Sequence, residues 1–182
     1  MSIDNLSQLK TLNLSGMATA LAEIQAEAPR LALTPDGYLH RLIDAEIAYR
    51  QARSLRYQLH AAKFPIHRDM VGFVWQESPL PQAQIQQLAS AAFMEEAHNL
   101  ILVGGTGTGK THIATAIAVA AIHKGKRVRF YNAVDLVNQL EREKQAGKTG
   151  SMVRKLIQVD AVIVDLWVIC RSLSRVEPCY FT

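Results

Sequence analysis

Leu14, Met17, Leu21 and Ile24 recur at three- and four-residue spacing, and Tyr38, Leu39, Leu42, Ile43 and Ile47 repeat that rhythm further along. Such a period lines one side of an α-helix with apolar groups, so it predicts two amphipathic helices. Thr34 followed by Pro35 marks the start of the second. A hydroxyl there can accept a backbone N–H, and proline is tolerated in a first turn. Near residue 70 the rhythm gives way to Gly72, Pro79 and Pro81, where a linker is expected. Residues 1–70 therefore read as an all-helical domain, and 71–94 as a linker with a short helix.

From Glu95 onward apolar runs alternate with helical patterns, which is how a parallel sheet covered by helices is written. Leu100 to Val103 is expected as a first strand, Thr111 to Lys124 as a helix and Val128 to Tyr131 as a second strand. Asn132 can cap a helix running to about Lys144. Gly147 to Ser151 breaks it before a short helix from Met152 to Ile157, and Ala161 to Val164 forms a third strand ending at Asp165. The fold class is thus α/β: an N-terminal all-helical domain followed by a partial parallel sheet with helices on both faces.

Composition narrows the class without changing this picture. The 182 residues are 49% hydrophobic and 20% charged, too apolar for a disordered chain. Twenty Lys and Arg against 16 Asp and Glu leave a net charge of +4, which permits a polyanionic partner without requiring one. The two cysteines, Cys170 and Cys179, have neither a disulfide framework nor metal-ligand spacing, so a reducing cytoplasm fits. Met1 to Lys10 lacks the basic end and apolar run of a signal peptide, and the longest apolar stretch, Ile113 to Ile122, is about half of a membrane span. No membrane association is expected.

The strongest chemical signal is Gly104-Gly105-Thr106-Gly107-Thr108-Gly109-Lys110-Thr111, a full match to the phosphate-binding loop pattern between an expected strand and an expected helix. Glycines let the backbone curl until successive N–H groups point at a phosphate, and the positive end of the following helix adds a favourable field. Lys110 would supply a point charge to the outer phosphates, and Thr111 would join a Mg²⁺ shell. A nucleoside triphosphate site also needs a carboxylate at the end of a neighbouring strand, and Asp165 supplies it. The plainer readings are a flexible Gly-Thr linker and a strand-terminal turn aspartate; the strand and helix context argues against both. Leu166, directly after Asp165, cannot accept a proton, whereas hydrolases of this type often place a water-activating glutamate there.

Arg50, Arg53 and Arg56 repeat at three-residue spacing, with Lys63 and Arg68 beyond and no acidic residue between Arg50 and Arg68. One positive helical face would suit DNA phosphates, each adding about 0.9 to the salt slope of duplex binding. A solvated helix face or a protein-binding surface is the alternative, and the residues alone leave the choice open. Tyr57, Phe64, Phe73 and Trp75 read as core or linker packing rather than base-stacking platforms. The histidines His60, His67, His98, His112 and His123 show no metal-ligand spacing.

Taken together, Leu14-Ser15-Gly16-Met17-Ala18 in a helical first domain, Asn99-Leu100-Ile101-Leu102-Val103 leading into the loop, and Val162-Ile163-Val164-Asp165 form a recognisable combination. Over about residues 1 to 165 it resembles the IstB-type transposition helper ATPases of insertion sequences, relatives of the DnaC helicase loaders within the AAA+ class. The resemblance implies an ATP-dependent, DNA-binding oligomer that prepares target DNA and recruits or stimulates a transposase. On that basis Gly104 to Thr111 would bind ATP, Thr111 and Asp165 would hold Mg²⁺, and the arginine run would lie in a domain contacting double-stranded DNA or a partner. Residues 95–165 would form a partial nucleotide-binding domain.

Residues 166–182 depart from the family pattern, which typically continues Glu-Leu-Gly-Tyr-Leu-Pro-Phe-Ser-Gln-Ser-Gly-Gly. One coding of the family stretch from Gly-Tyr-Leu-Pro onward, read from its second nucleotide, yields Val168 to Phe181 of this chain. A frameshift after Asp165 is therefore expected, leaving a truncated copy with three of five family strands and an irregular tail. Leu100 to Val103 would then lack both sheet neighbours, and its backbone groups would be unpaired. ATP binding would survive weakly and hydrolysis would not; the resemblance implies a homo-oligomer, an assembly that so partial a domain disfavours. Three rival readings remain: a DnaC-like helicase loader; binding by the helical domain without ATP; and a small P-loop kinase, which should carry an arginine-rich lid that is not recognisable here.

Overall fold

A computed structural model describes residues 4–27, 34–73, 75, 81–147 and 150–166. Contacts group the chain into two compact units, residues 1–60 and residues 61–182.

The first unit is helical, with α1 (Asn5–Thr11), α2 (Ser15–Glu27) and most of α3 (Pro35–Ala62). Helix α3 begins at the expected place: Gly37 N–H donates to Thr34 Oγ1 at 3.2 Å, with Pro35 in the first turn. Helix α2 takes its cap from far along the chain. Glu46 of α3, only 5% exposed, accepts the Gly16 and Met17 N–H groups at 2.8 and 3.1 Å. Gly16 makes the approach possible, because a Cβ there would lie 2.5 Å from the Ala45 carbonyl oxygen and 2.7 Å from Glu46 Cα. Leu21 and Ile24 of α2 are buried as the spacing predicts, Leu14 and Met17 of the same stripe are half-buried, and Ala18 is buried beside them. The second apolar stripe behaves differently: Leu39, Ile43 and Ile47 stay exposed, since periodicity states which residues share a face but not that the face is covered.

In the second unit α6 (Lys110–His123) is the central element, with Ile113, Ala116, Ile117, Val119, Ala121 and Ile122 all buried. A helix apolar on most sides must be surrounded. Helices α4 (Gln82–Ala89) and α5 (Ala92–Glu95) precede it, and Ile85 of α4 joins Ile113 and Ile117 in a core flanked by Met70, Phe73, Trp75, Leu88, Phe93 and Leu102. Helix α6 ends in a Schellman turn: Gly125 takes φ +83°, its N–H donates to Ile122 at 2.9 Å, and Lys126 N–H reaches Ala121 at 3.1 Å.

Strand β1 (Val128–Asn132), helix α7 (Ala133–Gln145), helix α8 (Ser151–Ile157) and strand β2 (Ala161–Asp165) complete the unit. Asn132 caps α7 as expected, its side chain accepting Val134 N–H at 2.9 Å. The crossover through α7 and α8 makes the two strands parallel, in register from Val128 opposite Ala161 to Asn132 opposite Asp165. Asp160 sets the start of that register by accepting Arg127 N–H at 2.6 Å, and its carboxyl is held below the usual range chiefly by that backbone bond. Val128 and Phe130 turn inward, and Phe64 meets Phe130 edge-on with centroids 6.4 Å apart.

The α/β class of P-loop type thus holds, with a smaller sheet than expected. Leu100 to Val103, expected as a strand, forms none; among the described residues no strand pairs with it, and Ile101 and Val103 are 80% and 90% exposed. Apolar character makes a strand possible, but a strand exists only where a neighbour takes its backbone groups. The expected irregular tail, with the stretch Val168 to Phe181 for which a frameshift is expected, lies outside the described residues. Among those described, no helix is long and apolar enough to cross a membrane.

Candidate functional site

The loop Gly104 to Thr111 leads into α6, whose first residue is Lys110. Gly107 and Gly109 take φ of +78° and +83°, conformations that residues with a Cβ rarely adopt. The loop closes on itself, with the Thr108 hydroxyl and the Lys110 ammonium both donating to the Gly105 carbonyl, at 2.9 and 2.5 Å. Lys110 therefore folds back over the loop that precedes it.

Fifty-four residues separate Thr111 from Asp165, yet the Thr111 hydroxyl donates to Asp165 Oδ2 at 2.8 Å. The β1–β2 register produces this meeting by putting Asp165 at the strand end nearest the start of α6. The two oxygen donors suit a hard cation such as Mg²⁺, which prefers a carboxylate and a hydroxyl to nitrogen or sulfur. Beside them runs a groove of about 710 Å³, bounded by Leu100, Leu102, Lys110, Thr111, Val162 and Asp165. Leu166 also borders it and brings no titratable group next to Asp165.

The basic residues fall differently. Arg50, Arg53 and Arg56 are exposed on α3 in the first unit, whereas Lys63 and Arg68 lie in the second. Lys63, with φ +58°, stands just past the end of α3, so the five do not form one helical face. Arg50 is also engaged, its Nε 2.7 Å from Glu46 Oε1. The Glu46–Arg50 spacing of four residues was a signal for this pair, lying one turn before the acid-free stretch. Tyr57, expected as packing, is exposed, while Phe64, Phe73 and Trp75 do pack. Among the described residues no His, Cys, Asp and Glu cluster could hold a metal ion by itself.

Sequence reasoning missed Phe73, which packs on the loop. Phe73 lies against Gly109, and His112 in the first turn of α6 meets Phe73 edge-on, with its Nε2 3.2 Å from the Asp69 carbonyl oxygen. Nothing in the spacing of these residues announces the contact.

A glycine loop running into a buried helix, with a strand-end aspartate facing its threonine, defines an α/β protein of P-loop type. The model of the family described as IstB-like ATP binding protein matches residues 7–177, past the expected family limit at Asp165 and into the expected non-family tail, and the chain belongs to that family. It is 34% identical to the "Insertion sequence IS5376 putative ATP-binding protein" of Geobacillus stearothermophilus, over 70% of this chain and 51% of that protein. It is 32% identical to the "Insertion sequence IS1162 putative ATP-binding protein" of Pseudomonas fluorescens, over 92% of this chain and 73% of that protein. For the "Insertion sequence IS21 putative ATP-binding protein" of Pseudomonas aeruginosa the identity is 30%, over 88% and 60%. The chain thus spans about half to three quarters of the length of these relatives.

Proposed function

We propose that this chain binds ATP with Mg²⁺ in the loop Gly104 to Thr111 and serves DNA transposition as an insertion-sequence helper protein, with double-stranded DNA and a transposase as partners in the cytoplasm. The observation that carries the reading is the Thr111–Asp165 hydrogen bond, which joins the two residues a Mg²⁺–nucleotide site requires. Lys110 then neutralises the outer phosphates once it leaves the Gly105 carbonyl, and the N–H groups of the loop and of the α6 start receive the rest. Thr111 and Asp165 hold the cation, which when bound screens the phosphate charge.

Leu166 provides no base to activate water, so binding without steady turnover is expected. A thermal melt of the chain with and without Mg²⁺ and ATP tests the proposal. An upward shift that Lys110→Ala removes supports it, and a melt indifferent to ATP overturns it. Lys110-dependent ATP turnover would leave binding intact and sink the part about hydrolysis.

The helical unit supports a second reading, DNA contact without ATP, because Arg53 and Arg56 stand exposed on α3. Salt-dependent retardation of duplex DNA that persists in Lys110→Ala, and falls in Arg53→Ala with Arg56→Ala, would favour it. Capture of a replicative helicase instead of a transposase would favour the helicase-loader alternative.

A further inference from the structure

We propose that Phe73 is a positioning residue of the phosphate loop: its ring walls in Gly109 and the first turn of α6, and so keeps the loop amides aligned for nucleotide. The affinity part of this inference rests on the reading of the loop as an ATP site. Gly109 is the hinge of the loop, the last residue before Lys110 and one held at φ +83°. A glycine there reaches that conformation without strain, but by the same freedom it leaves it readily unless something confines it.

Phe73 is what confines it. A Cβ on Gly109 would fall 3.2 Å from Phe73 Cε2 and 3.6 Å from Cζ, so the ring edge already covers the outer side of that residue. The ring is itself fixed from two directions, by Trp75 at 4.7 Å between centroids and by His112 at 5.1 Å with the planes at 90°. His112 is anchored in turn, its Nε2 within 3.2 Å of the Asp69 carbonyl oxygen. Asp69 also accepts Gly72 N–H on its side chain at 2.9 Å, the turn that aims Phe73. One short segment therefore holds the loop's last glycine and the helix turn that follows it. Aligning donors before a ligand arrives is what converts a flexible loop into a site, because the ordering cost is no longer taken from binding.

Phe73 also belongs to the core around Ile85, so the test must separate a wall on the loop from general packing. Leu88 flanks the same core and serves as the control. In the full chain, titration with a fluorescent ATP analogue and Mg²⁺ should show affinity falling about tenfold in Phe73→Ala and less in Phe73→Leu, with Leu88→Ala close to wild type. Amide hydrogen exchange without nucleotide should be faster across residues 104–113 in both Phe73 variants than in Leu88→Ala, and unchanged across β1. Wild-type affinity in Phe73→Ala, with binding still lost in Lys110→Ala, would overturn the inference and leave the ATP site standing. If the wild-type chain binds no nucleotide, the ATP reading fails, and the exchange comparison alone decides whether Phe73 holds the loop. Loop exchange equal in the Phe73 and Leu88 variants overturns that too. Should Phe73→Ala not fold, Phe73→Leu carries both measurements.

Discussion

Each unit of this protein uses a carboxylate to receive donors from an element far along the chain, and the two carboxylates do different work. Glu46 is buried, and Gly16 N–H, Met17 N–H and Arg50 Nε all converge on it. Asp165 receives the Thr111 hydroxyl and borders an open groove. The same functional group joins two helices where it is sealed in and holds a single hydroxyl where it opens on a groove. Burial and access, not residue type, separate the structural carboxylate from the one proposed to hold a cation.

If that division is right, each unit can be damaged without the other's property changing. The largest effect is expected from Lys110→Ala, which should remove an ATP-dependent stabilisation of about 2.7 kcal/mol at a hundred times the dissociation constant. Melts with and without Mg²⁺ and ATP read it, and the first unit should be unaffected. Gly16→Ala comes next. Forcing a Cβ against the backbone of α3 costs about 3 kcal/mol, set against about 1 kcal/mol of helix propensity gained, a net loss of about 2 kcal/mol. The ATP-induced shift should survive that substitution; if it disappears, the two units are not independent.

Glu46 sharpens the same point through pH. The Arg50 side-chain hydrogen bond, with the Met17 and Gly16 N–H groups, holds its carboxyl below the ordinary glutamate value, burial opposing. A carboxyl depressed on folding stabilises the fold above its unfolded pKa of about 4.3, and that contribution fades as pH falls through the lower folded value. Melting temperature measured from pH 6 down to pH 3 should therefore drop in wild type and drop less steeply in Glu46→Gln, which starts from a lower value.

Two smaller effects concern the second unit alone. Asn132→Ala removes the cap of α7 and should cost about 1 kcal/mol by denaturant titration. Thr115 is buried in α6, and its hydroxyl finds no partner among the described residues. Thr115→Val keeps the shape and removes an unsatisfied group, so stability should hold or rise by about 0.5 kcal/mol.

Much of this architecture was legible because its signals are local. The Thr34–Pro35 start of α3 and the Asn132 cap of α7 each depend on residues within one turn of one another. So does the phosphate loop, whose pattern carries its own backbone requirements in Gly107 and Gly109. The family pattern of Val162-Ile163-Val164-Asp165 pointed to the partner of Thr111, and the contact follows. Reading failed where the answer lay across the chain. Leu39, Ile43 and Ile47 have the period of a buried face and no cover among the described residues; Tyr57 has the bulk of a core residue and stays exposed.

The sequence by itself determined α2 and α3 of the first unit, the order β1, α7, α8 and β2 in the second, the phosphate loop and the membership of an ATP-binding insertion-sequence family. Those features are written in short-range period, capping chemistry and motif. Tertiary structure alone decided that Glu46 caps α2, that Gly16 is where two helices touch and that Phe73 closes on Gly109. Each depends on which backbone or side chain arrives from tens of residues away. A hydrogen bond or a van der Waals contact is set by that arrival, and local sequence carries no record of it.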